Sequence, residues 1–366
     1  MTAPSNPSDA AAPTPAPLVD EGELFTSRRL RYVPISAPAP GACVAVAPQV
    51  RWTRLPMPME LNHINVWLIE VGDGCVIVDT GLNIQMAKDA WLAVERELFS
   101  SLPVRAVLVT HIHPDHIGLA AWLEARYDVP VHLSPRTYEL ARTMITGENQ
   151  PSPAEVETFV RSHGLTDFST IRPALDRSRL ARTLSGLPRV ERFLEEDKPL
   201  PAGLEAWTAM QTEGHAEGHL CLHNEADRVL ISGDQVLPTI SPNISFGPHT
   251  RDPNPLGSYL LSLERLHTLP ADTLVLPSHG LPFQGLHRRL EDLRRHHEEH
   301  LEAIVKLCVE PLTAGELLPH LFRRELKGVH LFLALGEAVA HLEYLVHAGR
   351  LERDTKGTLV RYVAVR

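Results

Sequence analysis

Apolar positions recur along this chain with two different periods. Between Val66 and Asp79 the run VWLIEVGDGCVIVD sets two strand-like stretches on either side of Gly72, Asp73 and Gly74, which marks a β-hairpin. Residues 84–99 (IQMAKDAWLAVERELF) then carry apolar side chains at helical spacing, and Val104–Thr110 returns to a short continuous apolar run, the pattern of a buried strand. Helix is expected again over Gly118–Tyr127, and a short strand over Pro130–Leu133. From 134 to about 198 the helical period persists among charges and prolines with no strand-like run, which predicts a helical insertion. Strands resume at Ala206–Thr212, Leu220–Asn224, Arg228–Ser232 and Thr273–Pro277. Two successive sets of strands interleaved with helices predict an α/β fold of two sheets packed face to face, with helices outside.

Beyond Leu286 the pattern is helical and highly charged (HRRLEDLRRHHEEHLEAIVKLC), and it ends in a strand pair around RLERDTKGTLVRYVAV. No repeat at a fixed period is present, which argues against a solenoid or propeller. The predicted organisation is an Ala/Pro-rich disordered tail over 1–22, a main unit over 23–285 and a small C-terminal domain over 286–366.

Composition narrows the function classes. The chain has 366 residues, 43% hydrophobic and 22% charged, which is ordinary globular usage. A net charge of −10 opposes a phosphate-backbone binder, so nucleic acid is a disfavoured partner. Cys43, Cys75, Cys221 and Cys308 are scattered and form no CxxC pair, so they read as reduced, buried thiols. The N-terminus lacks the basic start and apolar run of a secretory signal, and no apolar stretch of membrane-spanning length stands out. A cytoplasmic location and no membrane partner are the expectations.

Chemistry concentrates at VLVTHIHPDHIGLA, where an apolar strand ends and His111, His113, Asp115 and His116 follow within six residues. Alternate residues at a strand end point the same way, so His111 and His113 can grip one ion while Asp115 and His116 face a second. Three more ligand types sit just past predicted strands: His215 in GHAEGH, Asp234 in ISGDQV and His279 in LPSHG.

In that order, HIHPDH, GHAEGH, GDQ and PSHG, with DTG at 79–81, resemble the metal-binding motifs of the metallo-beta-lactamase superfamily, over roughly residues 50–285. The resemblance implies a four-layer alpha-beta/beta-alpha sandwich with the site at one edge of the two sheets. It implies a first ion held by His111, His113 and His215, a second held by Asp115, His116 and His279, and Asp234 bridging. His219 aligns with a structural position, not a ligand. Two divalent cations are implied, zinc first, with iron or manganese also compatible with His and Asp ligands. A histidine at 113 departs from the oxygen-reducing diiron branch, and the lack of a cysteine in the second set departs from several antibiotic-degrading members.

The expected reaction is attack of a metal-bridging hydroxide on a small acyl substrate, with Asp115 both ligating and orienting the nucleophile. A thioester or small acyl ester leads, in the manner of the hydroxyacylglutathione hydrolase (glyoxalase II) branch. A lactonase, a metal-dependent endoribonuclease and a non-enzymatic metal-holding DNA-binding regulator are the rivals. Asp79 is expected to steady a ligand histidine through its second nitrogen. Met57, Met59, Tyr138, Met144, Phe159 and Phe168 are candidate substrate-lining residues. His296, His297 and His300 read as a solvated, charged helix face. The C-terminal tail resembles a winged-helix-like extension, yet 13 basic against 12 acidic side chains over 286–366 give it no electrostatic footprint for DNA. Packing, closing the pocket or forming a homodimer are the roles expected of it.

Overall fold

The computed structural model describes residues 30–365 apart from positions 202 and 324. The tail expected over 1–22 lies outside the described residues.

The strands run in chain order as β1 (Arg31–Tyr32), β2 (Cys43–Ala47), β3 (Val50–Pro56), β4 (His63–Val71), β5 (Gly74–Val78), β6 (Val104–Leu108), β7 (Val131–His132), β8 (Trp207–Thr212), β9 (His219–Asn224), β10 (Val229–Gly233), β11 (Leu274–Pro277), β12 (Phe283–Gln284), β13 (Leu351–Asp354) and β14 (Arg361–Ala364). They form one six-stranded sheet ordered β2-β3-β4-β5-β6-β7, a second ordered β1-β12-β11-β10-β9-β8, and the β13-β14 pair. Within the first sheet β5, β6 and β7 are parallel, and within the second β10 and β11 are parallel, so their carboxyl ends collect along common edges.

Strand alternation explains the layering. Ile64, Val66, Leu68, Cys75 and Ile77 face a core shared with the outer helices, while their neighbours Trp67, Ile69, Val76 and Val78 face the core between the sheets. Across that inner core lie Leu220, Leu222, Val229, Ile231 and Leu276 of the second sheet. Trp52 and Trp67 are direct cross-strand partners, fully buried with ring centroids 6.0 Å apart. The opposite face of the second sheet (Cys221, Leu230, Val275) packs on the remaining helices, completing four layers.

The insertion contains no strand among its described residues except a lone bridge from Val190 to Val131. Its helices start on local signals. Ser134 and Ser152 each precede a proline, and their hydroxyls accept from the amides of Thr137 and Glu155, satisfying orphan donors of the first turn.

Three findings correct the sequence reading. The hairpin β2-β3 extends the first sheet where no element was expected, because its alternation is short and interrupted by Pro48 and Gln49, the latter at φ 56°. His296, His297 and His300 are not solvated. They are 3%, 0% and 8% exposed, because they continue the buried stripe of Leu286, Leu290, Leu293, Leu301 and Ile304 along helix Leu286–Leu307, with the charges on the other face. Helix Gly328–His347 is, at 20 residues, long and apolar enough to cross a membrane, contrary to the sequence reading. Here its apolar residues Leu335, Val339, Leu342 and Leu345 are buried in the core that also holds Leu230 and Tyr259. The C-terminal segment therefore shares one hydrophobic core with the second sheet instead of forming a core of its own.

Candidate metal centre

Five strand ends deliver the site. Asp79 follows β5, His111 and His113 follow β6, His215 follows β8, Asp234 follows β10 and His279 follows β11, while Asp115 and His116 open the short helix Pro114–Ile117. Those strands end at one edge of the sandwich, which is why side chains far apart in sequence converge. Ligand atoms of His111, His113, His215 and Asp234 all lie within 4.8 Å of one another, and those of Asp115, His116 and His279 form a second such group. Asp234 stands between the two, its carboxylate oxygens 3.5 Å from His215 Nε2, 3.5 Å from His116 Nε2 and 3.4 Å from His279 Nε2. Asp115 Oδ2 lies 3.3 Å from His279 Nε2.

The outward nitrogens are fixed by acceptors that cannot donate. His215 Nδ1 donates to the Asn243 carbonyl, His279 Nδ1 to the His63 carbonyl and His116 Nδ1 to Asp79 Oδ2, each at 2.8 Å. Every one of these bonds turns Nε2 inward. Asp79 itself takes a left-handed backbone, φ 66°, and its carboxylate also accepts from the Thr110 amide and hydroxyl. Arg54 and Asn65 grip the Gly280 carbonyl from β3 and β4, holding the loop that carries His279. His219 is occupied in holding structure: its Nδ1 meets the Thr212 hydroxyl and its Nε2 accepts from the Asp234 amide.

These residues fit divalent cations. His116 Nε2, His215 Nε2 and Asp234 Oδ1 are buried without a hydrogen-bond partner, and all three point into the cluster. His111 Nε2 and His113 Nδ1 face each other at 2.9 Å, a separation that two lone pairs tolerate only with a proton or a cation between them. The charge balance agrees. Burial, reinforced by neighbouring imidazoles, pushes His111 well below the usual histidine range and His113 down to about 3, so both are neutral. Burial would do the same to His116 and His279, but the carboxylates of Asp79, Asp234 and Asp115 overturn it, raising His116 well above its ordinary value and His279 to about 10. Burial works against ionised Asp115 and Asp234 too, yet those two imidazoles hold Asp115 at about 2 and Asp234 well below the usual range. The pocket is built to hold positive charge, and its nitrogen and carboxylate oxygen donors suit a dinuclear centre.

Asp79→Asn tests the outer layer. An amide there weakens the grip on His116 Nδ1, and metal affinity is expected to fall about 10- to 100-fold. Competition with a chromophoric chelator reads it, and unchanged affinity would leave Asp79 with a packing role alone.

The six candidate lining residues fall in the cores or on the surface. Met57 is buried, with Tyr138 and Met144 packed against the same outer core of the first sheet; Phe168 is buried and Phe159 packs beside it in the C-terminal core. Met59 is 53% exposed. None of the six is among the residues lining a groove of about 350 Å³ that begins at His215. That groove is walled by Arg136 and Leu140 of the insertion, Phe246 and His249 of the following loop, and Phe332 and Leu333 of the C-terminal helix. Helical spacing decides the difference: Arg136 and Leu140 share the face opposite Tyr138. Asn243 and the His63 carbonyl were also missed, since a backbone acceptor leaves no mark in the sequence.

Residues 59–279 match the sequence family described as Metallo-beta-lactamase superfamily, and residues 301–365 match Metallo-beta-lactamase-like, C-terminal domain. The crystal structure of a beta-lactamase domain protein from Burkholderia ambifaria is 37% identical, with a TM-score of 0.83 over 93% of this chain and 98% of that one. A metallo-beta-lactamase family protein from Thermus thermophilus is 29% identical, with a TM-score of 0.75 over 88% of this chain and 100% of its own. An acyl-coenzyme A thioesterase of Gallus gallus is 28% identical over 225 residues, 60% of this chain and 73% of that protein.

Proposed function

Because the chain belongs to the metallo-beta-lactamase superfamily, we propose that it is a zinc-dependent thioesterase acting on acyl-coenzyme A or a related small acyl thioester. The observation that carries this reading is the junction of the His/Asp cluster with the groove at His215, whose walls include Leu140, Phe246, Phe332 and Leu333. An apolar trough opening on a polar reaction centre suits an acyl chain with its carbonyl at the metals. The relative named as an acyl-coenzyme A thioesterase supports the substrate class.

His111, His113 and His215 would hold one ion and Asp115, His116 and His279 a second, with the Asp234 carboxylate standing between the two groups. Divalent cations bound there would supply a water activated at neutral pH and a Lewis acid for the acyl oxygen. Asp115 is the more exposed of the two inner carboxylates, its side chain at 16% against 10% for Asp234, which suits it to orient the attacking water. A thiolate departs without a full proton transfer, so the site's lack of a dedicated acid donor among its described ligands costs a thioester less than an oxygen ester. The imidazoles fixed by Asn243, His63 and Asp79 keep their geometry through the cycle because each is locked at its second nitrogen.

A thiol-trapping dye assay with acyl-coenzyme A and acyl-glutathione, run beside lactone ring opening and single-stranded RNA on a sample of measured metal content, tests the proposal. Thioester cleavage is expected to dominate; lactone or RNA turnover without it would sink the reading. Leu333→Trp narrows the groove and is expected to lower kcat/KM for long-chain acyl substrates about tenfold more than for acetyl. Equal losses for both would remove the groove from acyl binding.

A further inference from the structure

We propose that Glu337, on the C-terminal helix Gly328–His347, is a positioning residue for His215, acting through Asn243. This inference rests on the metal-centre reading above and adds the C-terminal segment to it.

The geometry is a short chain of fixed contacts. His215 Nδ1 donates to the Asn243 carbonyl at 2.8 Å, so the place of that carbonyl sets the direction of His215 Nε2. Asn243 is held on both sides of its own amide: Nδ2 donates to Glu337 Oε2 at 2.9 Å, and Oδ1 accepts from the Ser245 hydroxyl at 2.6 Å. The same helix fixes the rest of the loop, because the Phe246 amide donates to the Gly336 carbonyl at 3.0 Å. A Cβ on Gly336 would stand 2.9 Å from Ser245 Oγ and 3.2 Å from the Phe246 carbonyl, so only glycine lets helix and loop approach this closely. Glu337 does not reach the cluster. It acts on a ligand nitrogen two contacts away, across the boundary between the C-terminal segment and the sandwich.

A residue that merely packs the helix and one that aims His215 differ in what they move. Metal-free protein is reloaded with zinc in competition with a chromophoric chelator, and separately with cobalt(II), whose visible bands report ligand geometry. Glu337→Ala is expected to weaken zinc affinity about tenfold, the low end for loss of an outer partner, and to shift the cobalt bands. Glu337→Gln keeps an acceptor for Asn243 Nδ2 and is expected to recover most of the affinity. Asn243→Asp sets a carboxylate against Glu337 and is expected to weaken binding; combined with Glu337→Gln, whose amide can donate to it, binding returns. That reversal is a coupling which loss of folding cannot imitate. Zinc affinity and cobalt bands unchanged in Glu337→Ala, or Asn243→Asp not rescued by Glu337→Gln, would overturn the inference. Wild-type protein that takes up no divalent metal would sink the metal centre itself, a distinct outcome.

Discussion

Asp234→Ala is expected to lower kcat/KM by about three orders of magnitude or more, roughly 4 kcal/mol of barrier. The reason lies in its position. Its two oxygens reach His215, His116 and His279 at once, and no other side chain in the described cluster faces both ligand groups in this way. Without it, buried imidazoles face one another with less negative charge to hold cations among them, so metal content should fall with activity. Elemental analysis beside steady-state kinetics separates the two effects, and circular dichroism checks that the fold persists. Near-wild-type turnover in this variant would refute the metal-centre assignment.

Acidification is expected to destabilise the protein strongly between pH 7 and pH 5, through groups remote from the cluster. His296, His297 and His300 pack with His341 of the C-terminal helix, where His297 Nδ1 and His341 Nε2 lie 3.1 Å apart. Burial, with mutual repulsion and the nearby Arg289, lowers His296 to about 4; burial lowers His300 and His341 to about 2 and 4, and His297 well below the normal range. The Ser241 hydroxyl and the Tyr259 ring also face His297, and neither carries a charge that would favour an imidazolium there. Histidines depressed in the fold bind fewer protons than in the unfolded chain, so stability is complete above the unfolded value of about 6.5 and is lost as pH falls towards 4. Each imidazole that stays neutral at pH 5 costs up to about 2 kcal/mol relative to pH 8, and coupling keeps the total below the simple sum. Thermal melts of metal-free protein across this range, compared with the double variant His296→Gln and His300→Gln, isolate the contribution. A pH slope equal in both proteins would rule it out.

The clustered residues were legible because the chemistry is local in sequence and repeated in place. His111, His113, Asp115 and His116 fall within six residues of chain, and His215, Asp234 and His279 each follow an apolar run that reads as a strand. The two sheets were legible for the same reason, since Val66–Asp79 and Val104–Thr110 carry the hydrophobic signal of buried strands. What stayed hidden depends on tertiary partners. Whether His297 meets solvent depends on the C-terminal helix that covers it, and charges at 294, 295, 298 and 299 disguised the stripe. Phe159 and Phe168 are as apolar as any cleft residue, and only packing sends them into the core. Asn243 and His63 serve through main-chain carbonyls, which every residue possesses.

The continuous core joining Leu230 and Tyr259 to Leu335 and Tyr362 has a practical meaning for anyone cutting the gene. A boundary near 285 divides the polypeptide in chain direction but not in packing. A fragment stopping there would strip away the residues that share this core with helix Pro255–Leu266 and would also lose the helix that braces the loop behind His215. The last eighty residues are thus less an appendage than the fourth wall of the room in which the reaction takes place.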